Sequence, residues 1–275
     1  MVQLKDDCFA FGGNLMTIGE ALETMQKRIS IVSEETNVSL DDALMRALCN
    51  DITAEIDVPP YDNSAVDGYA VYFSDLMSSR ETKLKCTNRI AAGHPLKVPM
   101  KFGEAVQIFT GAFMPFGIDG TQKTGPDTIF MEEDVEVEGD TVIFPPDLQQ
   151  GSNVRYRGED VTKGQIILRK GTRVRPQDIG IAASVGINEL PVYTRLRVAV
   201  FSTGDEICDP KQRSSANRVF DTNRYSIKSM LKGLGCSVTD LGILRDNQSL
   251  IESSLQEASR DHDLIITSGG VSAGE

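Results

Sequence analysis

Asp67 lies in the segment Pro59-Pro60-Tyr61-Asp62-Asn63-Ser64-Ala65-Val66-Asp67-Gly68-Tyr69-Ala70. Two prolines force an extended approach, because each ring fixes φ and removes an amide donor. A small polar cluster, an Asp-Gly turn and a return to apolar residues follow. A carboxylate is thereby held at the tip of a rigid turn. The same pattern also suits a plain β-hairpin, since Asp-Gly between apolar stretches is a strong hairpin signal.

A second group of candidates follows four polar segments late in the chain: Ser202-Thr203-Gly204-Asp205-Glu206, Asp221-Thr222-Asn223, Arg245-Asp246 and Ser268-Gly269-Gly270-Val271-Ser272-Ala273-Gly274. Each comes at the end of an apolar strand-like run or on entry to a helix. In open α/β sheets, ligands bind beyond the carboxyl ends of the strands. The glycines at 269 and 270 let backbone amides approach an anion, which suits a phosphate. The spacing is neither Walker A nor Gly-x-Gly-x-x-Gly. A tight turn that needs positive φ would explain those glycines equally. Glu206, Asp221 and Asp67 have the chemistry to share Mg²⁺, which takes carboxylate and phosphate oxygens. Asp205 as a turn acid and Asp221 as a helix-entry residue are the structural alternatives. Phe109-Thr110-Gly111-Ala112 exposes one hydroxyl beside a glycine. Arg155-Tyr156-Arg157-Gly158-Glu159-Asp160 alternates charges, and a surface ion-pair cluster explains such a run.

Composition narrows the classes. Forty acidic against 28 basic residues give a net charge of −12 over 275 residues. That is the opposite of a nucleic-acid footprint. The five cysteines are scattered without Cys-x-x-Cys spacing, as expected of reduced thiols in a cytoplasmic protein. Two histidines leave little room for a histidine-based metal site. No stretch approaches the ~20 apolar residues of a membrane span, and Met1 to Asp7 do not read as a signal peptide.

The elements that must position these residues read as an α/β multidomain chain. Residues 14–57 suggest two helices. Thr17 and Glu20 form a capping box before the stripe Ile18, Leu22, Met25 and Ile29. Ser39 and Asp42 open a second helix with Leu40, Leu44, Ala47 and Leu48 inward. With 151–185, this segment is expected to build an elongated α+β domain. Residues 58–150 turn to short β-like runs punctuated by Gly and Pro, a small inserted mixed β domain. Residues 186–275 follow a βαβαβ pattern, a doubly wound α/β domain. Its last strand is followed only by a Gly-rich loop, so the expectation is a domain incomplete at its C-terminus.

Taken in order, the stretches PPYDNSAVDGYAV, IFTGA, GSNVRYRGEDV, VAVFSTGDEI, VFDTNRYSI and ITSGGVSAGE resemble the molybdopterin molybdenumtransferase family, which includes the C-terminal domain of gephyrin. The resemblance covers residues from about Leu15 to Glu275. It implies insertion of molybdate into adenylylated molybdopterin, with release of AMP and assistance from Mg²⁺. By motif, Asp67, Thr110, Asp160, Glu206 and Asp221 match the family's active-site positions, with Glu206 and Asp221 as metal ligands. Thr203 and Gly204 go with the cofactor-binding positions, and Ser268, Gly269, Gly270 and Ser272 with the pterin-phosphate loop. The resemblance further implies an elongated homodimer whose active site combines groups from both subunits, and molybdopterin adenylyltransferase as the upstream enzyme. Family members continue beyond the position of Glu275 with a lysine-containing stretch and a small β-barrel domain. Two other readings stand beside it. The adenylyltransferase resembles residues 196–275 but lacks the SAVDGYA and RGED segments. A gephyrin-like non-enzymatic scaffold has no separate signal in this chain.

Overall fold

The computed structural model describes residues 16–211 and 217–269. The chain divides into two compact units, residues 36–193 and residues 16–35 with 194 onward.

Within residues 36–193 the centre is a six-stranded mixed sheet. Its strands are β1 (Gly68–Val71), β2 (Thr82–Ile90), β3 (Glu104–Ile108), β4 (Thr128–Met131), β5 (Glu136–Glu138) and β6 (Thr141–Phe144). Their order across the sheet is β4-β1-β3-β2-β6-β5. Only the β2–β3 pair is parallel; the rest are antiparallel. Successive side chains in a strand point to opposite faces, and here both faces are covered. Ala70, Ile90, Val106, Ile108 and Ile129 fill one core. Tyr69, Val71, Leu84, Ala105, Phe130, Val142 and Phe144 fill the other. Every residue of β1 is therefore buried. The reason Gly68 begins β1 is steric: a Cβ there would lie 1.8 Å from the Phe130 carbonyl oxygen on β4.

Two short pairs join distant segments of this unit. Asn63–Ser64 pairs with Val154–Arg155, so the RGED turn is hydrogen-bonded beside the approach to Asp67. Ile52–Thr53 pairs with Ile166–Leu168. The helix expected from Ser39 does not form. Only a single 3-10 turn, Leu40–Asp42, follows the Ser39 position. Met45 then takes φ +63° and gives its amide to the Val174 carbonyl at 2.8 Å. Ala47 and Leu48 bridge to Arg173 and Val192. Long-range backbone pairing outweighs the local helical pattern there, and Leu44 is left exposed.

The other unit carries α1 (Ile18–Arg28), with the expected capping box between Thr17 and Glu20. In residues 36–193, α2 (Pro176–Ser184) opens with proline at a first-turn position, where the missing amide costs nothing. The βαβαβ pattern forms as read: β7 (Arg197–Thr203), α3 (Asn223–Gly233), β8 (Ser237–Leu244), α4 (Gln248–Asp261) and β9 (Leu264–Ser268). The strands are parallel in the order β8-β7-β9. Val198, Val200 and Leu231 form the core between sheet and α3.

These packings make opposite predictions for two glycines. Gly68→Ala should cost about 3 kcal/mol or more, because backbone on β4 must move. Gly180→Ala, on α2 with nothing near its Cβ position, should stabilise by about 0.5–1 kcal/mol. Denaturant midpoints of the two variants check both.

Candidate functional site

The Asp67 turn is closed by the loop that follows β3. Ser64 exchanges backbone hydrogen bonds with it, donating to the Ala112 carbonyl at 3.0 Å and accepting from the Gly111 amide at 2.8 Å. Gly111 takes φ +76°, a conformation that favours glycine. Thr110 donates both its amide and its hydroxyl to Asp67 Oδ1, each at 2.8 Å. The Asp67 carbonyl accepts from the Glu132 amide at 3.1 Å. The Thr110 amide first, and its hydroxyl second, hold the Asp67 carboxyl below the ordinary carboxylate range. Hydrogen bonds to the charged form favour it. Asp67 is thus a fixed, ionised and exposed acceptor.

Asp160 lies in a charge cluster beside this turn. Arg155 donates to Glu159 and to Asp160, each at 2.6 Å. Arg157 pairs with Asp57 at 2.6 Å, and its amide donates to Asp62 at 2.7 Å. The surface ion-pair reading of the RGED run describes this arrangement.

At the carboxyl ends of β7 and β9, Thr203, Gly204, Ser268 and Gly269 come together. Ser202 is in register with Ser268. A Cβ on Gly269 would sit 2.8 Å from both Thr203 oxygens, and Gly269 takes φ +107°. Asn223 donates to the Ser268 hydroxyl at 3.0 Å. Gly204 takes φ +144°, and the Glu206 carboxylate folds against it. Gly270 and Ser272 lie outside the described residues.

Asp221 is brought in by pairing of Ile207–Cys208 with Val219–Phe220, but it does not stand open to a cation. It is 4% exposed. Ser202 donates to Oδ1 at 3.1 Å, the Arg224 amide donates to the same oxygen at 3.1 Å, and Arg224 Nε donates to Oδ2 at 2.7 Å. Among the described residues no three His, Cys, Asp or Glu side chains gather as metal ligands. Glu206 and Asp221 therefore do not make a Mg²⁺ site by themselves here: Asp221 is turned to Arg224, whereas Glu206 covers Gly204.

Arg224, which no sequence motif singles out, organises this end of the unit. Arg224 is 3% exposed and gives its remaining donors to Asp240 at 2.5 and 2.6 Å and to Asp209 at 2.6 Å. Burial pulls the guanidinium down, but hydrogen bonds to Asp221, Asp240 and Asp209 outweigh it and raise its pKa. Lys228 also donates to Asp240. The Asp221-x-x-Arg224 spacing at a helix entry and an acid inside the β8 run were the available signals. Beside this cage lies a cleft of about 740 Å³ lined by Gly204, Asp205, Asp209 and the cations Lys211, Arg218, Arg224 and Arg245.

Two family profiles match the chain. One, described as the MoeA N-terminal region (domain I and II), covers residues 16–186. The chain belongs to the MoeA family. A second, described as a probable molybdopterin binding domain, covers residues 199–275. Among curated relatives, the molybdopterin molybdenumtransferase of Haemophilus influenzae is 37% identical over 262 residues, which is 95% of this chain and 62% of that protein. That of a Nostoc species is 33% identical, over 84% of this chain and 52% of the relative. This chain thus spans roughly half to three-fifths of their length. A crystal structure of a molybdopterin biosynthesis moeA protein from Pyrococcus horikoshii OT3 superimposes with a TM-score of 0.83 at 30% identity, covering 94% of this chain and 67% of that one. The mixed α/β fold expected from the sequence is that of this MoeA-family member.

Removing the cage's cation exposes its energetics. Arg224→Met leaves buried acid uncompensated and should cost about 3–5 kcal/mol, read from denaturant midpoints. Asp240 gives the pH dependence. Burial opposes its ionisation, but hydrogen bonds from Lys228 and Arg224 prevail and hold its pKa down to about 2. A depressed carboxyl adds stability above its unfolded pKa of about 3.9, and that stability is lost as pH falls through the folded value. Urea midpoints between about pH 4 and about pH 2 should therefore fall more steeply in the native chain than in Asp240→Asn.

Proposed function

We propose that this chain acts in molybdenum cofactor biosynthesis as the molybdate-inserting transferase, taking adenylylated molybdopterin as substrate and releasing AMP. Family membership supports the pathway, and the cationic cleft at the strand ends carries the finer reading. Lys211, Arg218 and Arg245 line the cleft with backbone of Gly204 and Gly242. Cations beside close-approach glycines suit the phosphates of an adenylylated substrate and would stabilise the charge that develops as the phosphoanhydride opens. Asp67 contributes a carboxylate whose position is set by two Thr110 donors. Thr110 favours its ionised form, and it acts as a standing acceptor at neutral pH. Glu206 lies against Gly204 and Asp221 is bonded to Arg224, so Mg²⁺ there would need oxygens from the substrate phosphates. Molybdopterin adenylyltransferase, as the enzyme that makes the adenylylated substrate, would act immediately upstream.

The deciding assay is molybdate-dependent AMP release from adenylylated molybdopterin. The chain should release AMP, and Asp67→Ala should lower the rate by about 10²-fold or more. Equal rates would remove Asp67 from the reaction. AMP made from ATP without molybdate would identify an adenylyltransferase instead.

A homodimer belongs to the same proposal. The α1 stripe Ile18, Leu22, Met25 and Ile29 is apolar yet exposed, from Met25 at 49% to Ile18 at 81%. A helix face of that kind demands a partner surface, and a second copy supplies one. Sedimentation should show a dimer, and a Leu22→Glu/Met25→Glu variant should sediment as a monomer with its thermal transition retained.

A further inference from the structure

Asp67 and Thr110 have a cationic neighbour to which the reaction above gives no role. The Arg89 guanidinium stacks on the Phe109 ring, 4.4 Å from its centroid. Phe109 directly precedes Thr110, the residue that locks Asp67. The strand register brings these groups to one end of the sheet. Arg89 is opposite Gln107, and Gln107 is opposite Tyr69. Gly68 is opposite Ile108 at the end of that pairing, so Asp67 and Phe109 leave the sheet at the same end. Arg89, Asp67 and Thr110 are all exposed. In a chain with forty acidic residues, Arg89 has no carboxylate partner among the described residues; its partner is the Phe109 ring.

Stacking fixes the plane of a guanidinium and leaves its in-plane N–H fork open. Asp67 is similarly half-used. Oδ1 takes both Thr110 donors, while Oδ2 has no protein donor among the described residues. Glu132, whose amide binds the Asp67 carbonyl, adds a second negative charge at this edge. The local charge is therefore not positive, which disfavours a bare oxyanion as occupant. What fits a fixed donor beside a fixed acceptor is a neutral planar ring with an acceptor beside a donor on one edge. The lactam edge of a pterin has that order: C4 carbonyl, N3–H, 2-amino group.

We propose that Arg89 and Asp67 form a recognition edge for the pterin ring, with Arg89 donating to the C4 carbonyl and Asp67 Oδ2 accepting from the 2-amino group. The inference rests on the reading that the substrate is a molybdopterin. It makes Arg89 a substrate-binding residue and gives the site a basis for choosing a pterin over other bicyclic rings. A site built around a hydrogen bond rejects an analogue that lacks the matching group. Lumazine is that analogue, because it places a carbonyl oxygen where the 2-amino group would meet Asp67.

The test is a fluorescence titration of the chain with neutral 6-hydroxymethylpterin and with lumazine. The native chain should bind the pterin about tenfold or more tightly than lumazine. Arg89→Ala should weaken pterin binding about tenfold or more, with its circular dichroism and melting temperature unchanged. Asp67→Asn should lose the preference over lumazine. Equal pterin affinity in Arg89→Ala, or an intact preference in Asp67→Asn, overturns the proposal. So does an Arg89→Ala variant that loses affinity for molybdate or phosphate alone, measured by calorimetry, with pterin binding intact. If the native chain releases AMP normally but binds no pterin through Arg89, this inference fails while the proposed reaction stands. If pterin binding depends on Arg89 but no AMP appears, the reaction fails while this inference stands.

Discussion

A charge or polar group taken out of water must find its partners inside the protein, and the Arg224 cage is organised around that requirement. No buried side-chain nitrogen or oxygen among the described residues lacks a hydrogen-bond partner. The demand is greatest at Arg224, where an unpaired guanidinium would cost several kcal/mol. Three aspartates from three different segments converge on it: Asp209 from the loop after β7, Asp221 at the entry to α3 and Asp240 inside β8. Satisfying one arginine thus ties helix, strand and loop together at the mouth of the cationic cleft. The same convergence takes Asp221 away from the solvent-facing role that its motif suggests.

Asp67 stays exposed, and backbone geometry sets its position. β1 is buried on both faces and approaches β4 so closely that only glycine fits at its start. The turn ahead of Gly68 is then pinned by Ser64, Gly111 and Thr110. A carboxylate set on such a scaffold is positioned by the sheet, with little freedom of its own. That rigidity suits discrimination between ligands, since a pre-positioned acceptor loses little entropy when it binds. Arg89 gains comparable definition from the Phe109 ring without giving up its donors.

The charge surplus of the chain takes on a local meaning in this light. Much of the acid is spent on internal pairing, as in Asp178 with Arg175, Asp263 with Arg197 and Asp57 with Arg157. Arg89, Lys211 and Arg245 are cations that no carboxylate neutralises among the described residues, and each borders one of the two candidate surfaces.

The sequence by itself determined the α/β unit, the capping box of α1 and the order of the family's motifs. These depend on short-range signals: apolar runs, proline and glycine punctuation, and a Thr-x-x-Glu spacing. It also placed Asp67 and Thr110 in separate motifs, 43 residues apart. Tertiary structure alone decided that these two meet, because only the pairing of β1 with β3 brings the turns together. It likewise decided that Leu40–Leu48 forms bridges in place of a helix, that Asp221 belongs to Arg224, and that Arg89 lies on Phe109. Each of those outcomes depends on partners far along the chain, and no local pattern records which distant group will arrive.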